Sequence, residues 1–331
     1  MDQIPGYLIS VAPMMEWTDR HCRYMLRCIT RRVLLYTEMV TTEAILRGNR
    51  DRLLSYDASE HPVALQLGGS DPAALEDCAR IGADWGYDEI NLNVGCPSSR
   101  VQSGRFGACL MRDPDLVGRC IERMARAVEI PITVKSRIGV DEQDEWSSLS
   151  ALASRAYDSG ATRLIVHARK AWLKGLNPKQ NREVPPLRYD IVYRLKTEMP
   201  NMPIIVNGGI CTLDDIDAHL ARVDGVMLGR AVYQDPFILA AIERNCFASE
   251  ARFPSRRELA SVMLEYIERE LLSGTPLRAM TRHMLGIFHG FPGARAWRHC
   301  LSNTAHRTGA PLKAIQDALN RMPVEHTVGV I

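Results

Sequence analysis

The sequence predicts an α/β protein: a (β/α)8 TIM barrel followed by a small all-helical C-terminal domain. Eight short, apolar, β-branched runs recur between residues 8 and 230, each followed by a stretch of helical character. That is the alternation of a barrel built from βα units. After Pro236 the β-branched runs stop, and helical stretches separated by Gly and Pro take over. A chain of 331 residues can bury one large barrel core and still carry an appendage.

The expected strands are Leu8–Ala12, Val33–Thr37, Val63–Leu67, Glu89–Asn93, Ile132–Lys135, Leu164–His167, Ile204–Asn207 and Gly225–Leu228. Their near-continuous apolar character is that of parallel strands buried on both faces. Between them, Asp71 before Pro72 and Asp113 before Pro114 have the chemistry of helix starts: a side-chain oxygen to cap, then a proline at the first helical position. In the second part, helices are expected near 256–273, 276–288, 294–304 and 311–321. Ser273-Gly274, Gly290 to Gly293 and Gly309-Ala310-Pro311 break them apart. Four short helices with such loops form a small bundle. The boundary is expected near residue 240, giving a catalytic barrel domain over 1–239 and a helical domain over 240–331.

Hydrophobic content of 46% and charged content of 24% are those of an ordinary globular domain. No apolar run reaches membrane-spanning length, and the start Met1-Asp2-Gln3-Ile4-Pro5 lacks the basic and apolar regions of a signal peptide. Nine cysteines, with no C-x-x-C pair and no zinc spacing, sit in core-like segments. A reducing cytoplasm is the expected location. Charge is uneven. Residues 240–331 hold 12 basic against 8 acidic side chains, a balance of +4, whereas residues 1–239 hold 29 against 31, a balance of −2. A basic tail on a neutral barrel suggests a polyanionic partner, although a solvated arginine-rich face has the same composition.

The strand ends carry the chemistry. They read Ala12-Pro13-Met14-Met15, Gln66-Leu67-Gly68-Gly69, Asn93-Val94-Gly95-Cys96, Lys135-Ser136-Arg137, His167-Ala168-Arg169, Asn207-Gly208-Gly209 and Gly229-Arg230. In a barrel these C-terminal ends converge on the face where ligands bind and react. Glycines after the seventh and eighth strands, with Arg230, suit a phosphate, because backbone N–H groups can approach it closely. With no acidic metal cluster, a phosphate there points to an organic cofactor, FMN or pyridoxal phosphate. Lys135 serves either: as an ammonium beside the pyrimidine edge of a flavin, or as a Schiff-base lysine. No acidic partner for a pyridinium stands at another strand end, which favours FMN. Gln66 can then bond the ring edge, and the Pro13–Met15 backbone can pack its face.

Cys96 sits where Pro97 ends a strand, a place for a small apolar filler or for a reactive thiol. If a reduced flavin gives hydride to a polarised C=C bond, the opposite carbon needs a proton from the other face, and a thiol can supply it. His167 and Arg137 can hold carbonyl oxygens where negative charge develops on the substrate; phosphate or structural pairing is the alternative for both, and for His167 it fits equally.

These residues match a known family. The runs APMMEWTDRHCR (Ala12–Arg23), LLYTEMVTTEAI (Leu34–Ile45), HPVALQLGGSDP (His61–Pro72), YDEINLNVGCPS (Tyr87–Ser98), VKSRIG (Val134–Gly139), IVHARKAWLKGLNPKQNREVPPL (Ile165–Leu187) and DGVMLGRAVYQDP (Asp224–Pro236) resemble the flavin-dependent tRNA dihydrouridine synthases, over essentially the whole chain. Lys174 to Leu187 looks like the bacterial A subfamily, which reduces the D-loop uridines at tRNA positions 20 and 20a. Glu16 stands where many members carry Asp, and Ser136 where Thr is common. The resemblance implies FMN and NADPH as cofactor and reductant and tRNA as substrate, with no resident metal; a monomer is expected. It places flavin contacts on Pro13, Met14, Met15, Gln66, Lys135, His167, Asn207, Gly208, Gly209, Gly229 and Arg230, and the catalytic acid on Cys96. It places tRNA contacts on Asn93, Lys179, Arg182, Arg295 and Arg298. The last two are three residues apart and share a helical face beside Trp297. The alternatives are an FMN barrel acting on a free pyrimidine, which needs no basic helical domain, and a non-catalytic RNA-binding barrel, which needs neither Cys96 nor Lys135.

Overall fold

The computed structural model describes residues 8–304 and 312–323, apart from the side chains of Arg100 and Thr304. Among the described residues nine strands form: β1 Ile9–Val11, β2 Leu34–Tyr36, β3 Val40–Thr41, β4 Val63–Gly68, β5 Glu89–Val94, β6 Ile132–Arg137, β7 Arg163–His167, β8 Ile204–Asn207 and β9 Gly225–Leu228. Every pairing is parallel. β4 through β9 follow in order, β1 lies between β9 and β2, and β2 pairs back to β4. Eight strands therefore close a barrel, as expected. β3, which the sequence pattern does not single out, pairs only with the end of β4, Val40 to Leu67 and Thr41 to Gly68. Two residues are too few to show a period of two.

Helices cover the outside of the ring. Asp71 caps Pro72–Asp84, accepting from the N–H groups of Ala73 and Ala74, and Asp113 caps Pro114–Ala127, accepting from Leu116. The barrel interior has two characters. Ala12, Leu34, Tyr36, Ala64, Ile165, Ile205 and Met227 pack as an apolar cluster. β5 instead turns Glu89, Asn91 and Asn93 inward, residues two apart on one face. Glu89 accepts from the Tyr36 hydroxyl at 2.5 Å and from Thr133, and it pairs with buried Arg163. Buried carboxylate and guanidinium are tolerable only when paired and hydrogen-bonded in this way.

The chain divides into two compact units. Of the described residues, the barrel unit comprises 8–16 together with Val33–Gly229; the second comprises Trp17–Arg32 and those from Arg230 onward. The boundary expected near residue 240 falls inside the helix Ile238–Asn245 of the second unit. That unit also holds the helices Arg20–Arg27, Arg230–Gln234, Arg256–Leu272, Leu277–Thr281, Ala294–Thr304 and Leu312–Asn320. Within it, buried Glu243 accepts from Thr30 Oγ1 at 2.6 Å and from the N–H groups of Arg31 and Arg32, and Tyr24 stacks on Tyr266 with centroids 4.1 Å apart. The first helix thus packs with residues more than two hundred positions later. No helix among the described residues is long and apolar enough to cross a membrane. All nine cysteines are free thiols. Cys22, Cys78 and Cys120 are buried as expected of core residues, but Cys211 is exposed.

Candidate active site

Cys96 sits half-buried on the turn that ends β5. Asn93, the last inward residue of that strand, shapes the turn: its Oδ1 accepts from Gly95 N at 3.1 Å and Cys96 N at 3.0 Å. The Cys96 carbonyl accepts from Ala108 N at 2.9 Å, which folds the following segment back over the turn. Gly107 makes this possible. It lies at φ +65°, and a Cβ there would come within 2.6 Å of the Cys96 carbonyl oxygen. The thiol Sγ is 3.7 Å from Ser98 Oγ. Asn93 also donates through Nδ2 to Gln66 Oε1 at 2.9 Å, and Gln66 Nε2 donates to Asn91 Oδ1 at 2.8 Å. A chain of amides thus runs from β4 to the turn of Cys96. The motif Tyr87–Ser98 contains both asparagines, but the sequence suggests a role only for Asn93 and Gln66.

Lys135 of β6 donates to Asn207 Oδ1 of β8 at 2.9 Å, and Asn207 Nδ2 donates to Met227 O at 2.7 Å. Burial, then the nearby charge of Arg137, pull the Lys135 ammonium from 10.5 to about 7; Cys96 acts in the opposite direction. His167, at the end of β7, titrates well below the usual histidine range. Burial is the first cause, followed by the charges of Arg137, Lys135, Arg169 and Arg182. Its imidazole is neutral at neutral pH. The positive charges near this histidine, above all that of Arg137, produce a field that an anionic group relieves. Gly208 follows at φ +114°, where a Cβ would meet His167 Cδ2 at 2.8 Å, and Gly209 at φ +75°. Tyr189 donates its hydroxyl to Gly208 O at 2.6 Å and holds this bend. At Gly229 an added Cβ would make ordinary contact with Ala12 Cβ and Met14 Sδ, both at 3.9 Å. Positive field and bent glycine backbone fit a phosphate-bearing cofactor. Pro13, Met14 and Met15 follow β1, with Met15 largely exposed.

Arg137, the last residue of β6, is turned to backbone carbonyls. It is 3% exposed, and it donates to Gly95 O at 3.0 Å, Lys170 O at 3.0 Å and Asn181 O at 2.9 Å. These three carbonyls use the guanidinium for shaping loops, the structural pairing that the sequence leaves open. Asn181 is fully buried and organises the loop after β7. Its Oδ1 accepts from Trp172 N at 2.7 Å, and its Nδ2 donates to Trp172 O at 2.8 Å and Leu176 O at 3.1 Å. Lys179 and Arg182 flank it and are exposed. Burial of the residue between them thus presents both cations outward.

In the helical unit Arg295 and Arg298 are exposed on the helix Ala294–Thr304. Trp297 is 1% exposed. It donates Nε1–H to Met284 O at 2.9 Å and meets Phe288 edge-on at 5.1 Å. It is a core anchor that turns the two arginines to solvent, and no platform for a stacked base. Arg230 is the exposed first residue of Arg230–Gln234 and belongs to this unit. Among the described residues no group of three or more His, Cys, Asp or Glu is placed to hold a metal ion.

Residues 10–322 match the family model described as dihydrouridine synthase (Dus). Close relatives span nearly the full length. The tRNA-dihydrouridine(20/20a) synthase of Vibrio cholerae is 52% identical over 318 residues, 96% of this chain and 97% of that protein. The protein of the same name from Escherichia coli strain K12 is 55% identical over 311 residues, 94% and 90% of the two chains. A Synechocystis protein, again of that name, is 53% identical over 311 residues, 94% and 93%. With a barrel whose strand ends carry the matching motifs, these likenesses establish that the chain belongs to the dihydrouridine synthase family.

Proposed function

We propose that this protein is a tRNA-dihydrouridine synthase that reduces the C5=C6 bond of D-loop uridines at positions 20 and 20a, with FMN as cofactor and NADPH as reductant. The observation that carries the reading is the juxtaposition of Cys96 with Lys135 and His167 at one barrel mouth, in a chain more than half identical to enzymes named for that reaction. When bound, the flavin supplies hydride to the carbon β to the uracil C4 carbonyl. The residues of this chain do the rest. Gly208, Gly209 and Gly229, with the cationic group around His167, suit the cofactor phosphate, and Lys135 and Gln66 suit the polar edge of the ring. Cys96, held by Asn93, delivers the proton to the carbon α to the carbonyl. Asn93 and the exposed Lys179 and Arg182 meet the extruded nucleotide and its backbone. The helical domain, through Arg295 and Arg298, holds the tRNA phosphates while the base is out of its stack. A cytoplasmic, monomeric enzyme with no resident metal fits this role.

The test is direct. Purified protein, NADPH and tRNA lacking dihydrouridine should give dihydrouridine mapped at 20 and 20a. Cys96→Ala should retain flavin and tRNA but lose about 10²–10⁴-fold in rate, the usual contribution of a placed acid. Near-normal turnover by that variant would remove Cys96 from the mechanism. Equal reduction of free uridine or orotate would favour a free-pyrimidine dehydrogenase instead.

A further inference from the structure

Gln102 follows the Cys96 turn on the short helix Ser99–Ser103. Its side-chain Nε2 donates to two carbonyls, Pro97 O at 2.9 Å and Leu173 O at 2.9 Å. One is the residue immediately after the candidate acid; the other lies on the loop that carries Lys179 and Arg182. Arg137 makes the same connection from the other side. It grips Gly95 O, immediately before the acid, together with Lys170 O and Asn181 O of that loop. Cys96 is therefore bracketed. The carbonyls on both sides of it are each held by a side chain whose remaining donor holds the basic loop. The loop is braced by further hydrogen bonds. Asn181 ties Trp172 to Leu176 from within, Leu173 N donates to Asp141 Oδ1 at 2.8 Å, and Ala171 N donates to Gly139 O at 2.9 Å.

We propose that Gln102 is a positioning residue. With Arg137 it clamps the Cys96 turn to the loop of Lys179 and Arg182, so that engagement of the RNA backbone by that loop sets the position of the thiol. The inference rests on the functional reading above and deepens it. Both hydrogens of one planar amide are committed, which leaves the bridge little freedom. An acid misplaced by about 1 Å loses on the order of 10²-fold in rate.

The test uses the full, flavin-loaded protein. Gln102→Met keeps the length of the side chain and removes its donors. It should lower kcat on tRNA by about tenfold or more, with KM little changed and NADPH-driven flavin reduction without tRNA unaltered. The decisive measurement is a double-mutant cycle. In the wild-type background, Lys179→Ala with Arg182→Ala should lower kcat as well as raise KM. In the Gln102→Met background the same pair should raise KM as before but lower kcat by a smaller factor, the remaining coupling being carried by Arg137. Iodoacetamide should alkylate Cys96 at a changed rate in Gln102→Met, with no tRNA present. If Gln102→Met does not fold, Gln102→Asn, too short to span both carbonyls, is read by the same cycle. Wild-type activity with additive effects on kcat overturns the inference and leaves the functional reading intact. A wild-type protein that makes no dihydrouridine overturns the functional reading, and the clamp's role with it.

Discussion

Lys135 shows at a single residue what the barrel mouth does to charge. Its ammonium titrates at about 7 where 10.5 is ordinary, because it is enclosed by protein and faces Arg137. The sign for stability follows. Between about 7 and 10.5 the unfolded chain holds a proton that the folded protein lacks, so stability rises with pH across that window. Below about 7 both states are protonated and the full cost of enclosing the charge is present. Lys135→Met without bound flavin should therefore be more stable than wild type near neutrality, with a flatter dependence between pH 7 and 10. Urea midpoints across that range measure it, and parallel curves for the two proteins would contradict an enclosed ammonium. A binding site that holds its lysine at a cost to the unliganded fold is one whose anionic ligand stabilises it on arrival.

At the scale of elements, the strand ends matter more than the strands. β8 ends in Asn207, and the chain then bends through Gly208 at φ +114° against His167 and Leu187. Gly208→Ala would combine a backbone region foreign to L-residues with a Cβ 2.8 Å from the imidazole. We expect a loss of about 1–3 kcal/mol in stability and a weaker hold on the cofactor phosphate, read from thermal unfolding and flavin titration. An Ala variant as stable and as yellow as wild type would mean the bend is not required. How legible an element is depends on its length and on how local its causes are. Glu89 to Asn93 announces both a strand and its end at Pro97, and Asp71-Pro72 and Asp113-Pro114 announce helix starts, because the causes lie within a few residues. β3, two residues long, has no pattern to show. The roles of Asn181 and Gln102 are illegible in the sequence because each is defined by carbonyls brought near by folding. Arg137 and Trp297 are visible as residue types, but their burial is not.

Over the whole molecule the basic excess lies in the part beyond residue 240, where Trp297 fixes a helix with Arg295 and Arg298 outward. Phosphate contacts release counterions, so tRNA affinity should fall steeply with salt. Arg295→Ala with Arg298→Ala should weaken binding and flatten the salt slope by roughly one unit for each arginine that meets a phosphate. Flavin reduction by NADPH without tRNA should be unchanged. Superimposable salt series for the two proteins would defeat the role assigned to this face. The membership of Trp17–Arg32 in the helical unit is the least legible feature of the chain, since its partners Glu243 and Tyr266 are remote in sequence.

That remote pairing sets an order of events during synthesis. Cys22, Met25, Leu26 and Ile29 emerge early, and each is about 1% exposed in the finished protein. Tyr266, which stacks on Tyr24 in the same helix, emerges more than 200 residues later. At about 5–20 residues per second the interval is on the order of 10–50 s. For that time an apolar surface near the N-terminus stays uncovered on the ribosome, while the barrel strands are still being made. The early segment thus completes its packing only after the last barrel strand has been made.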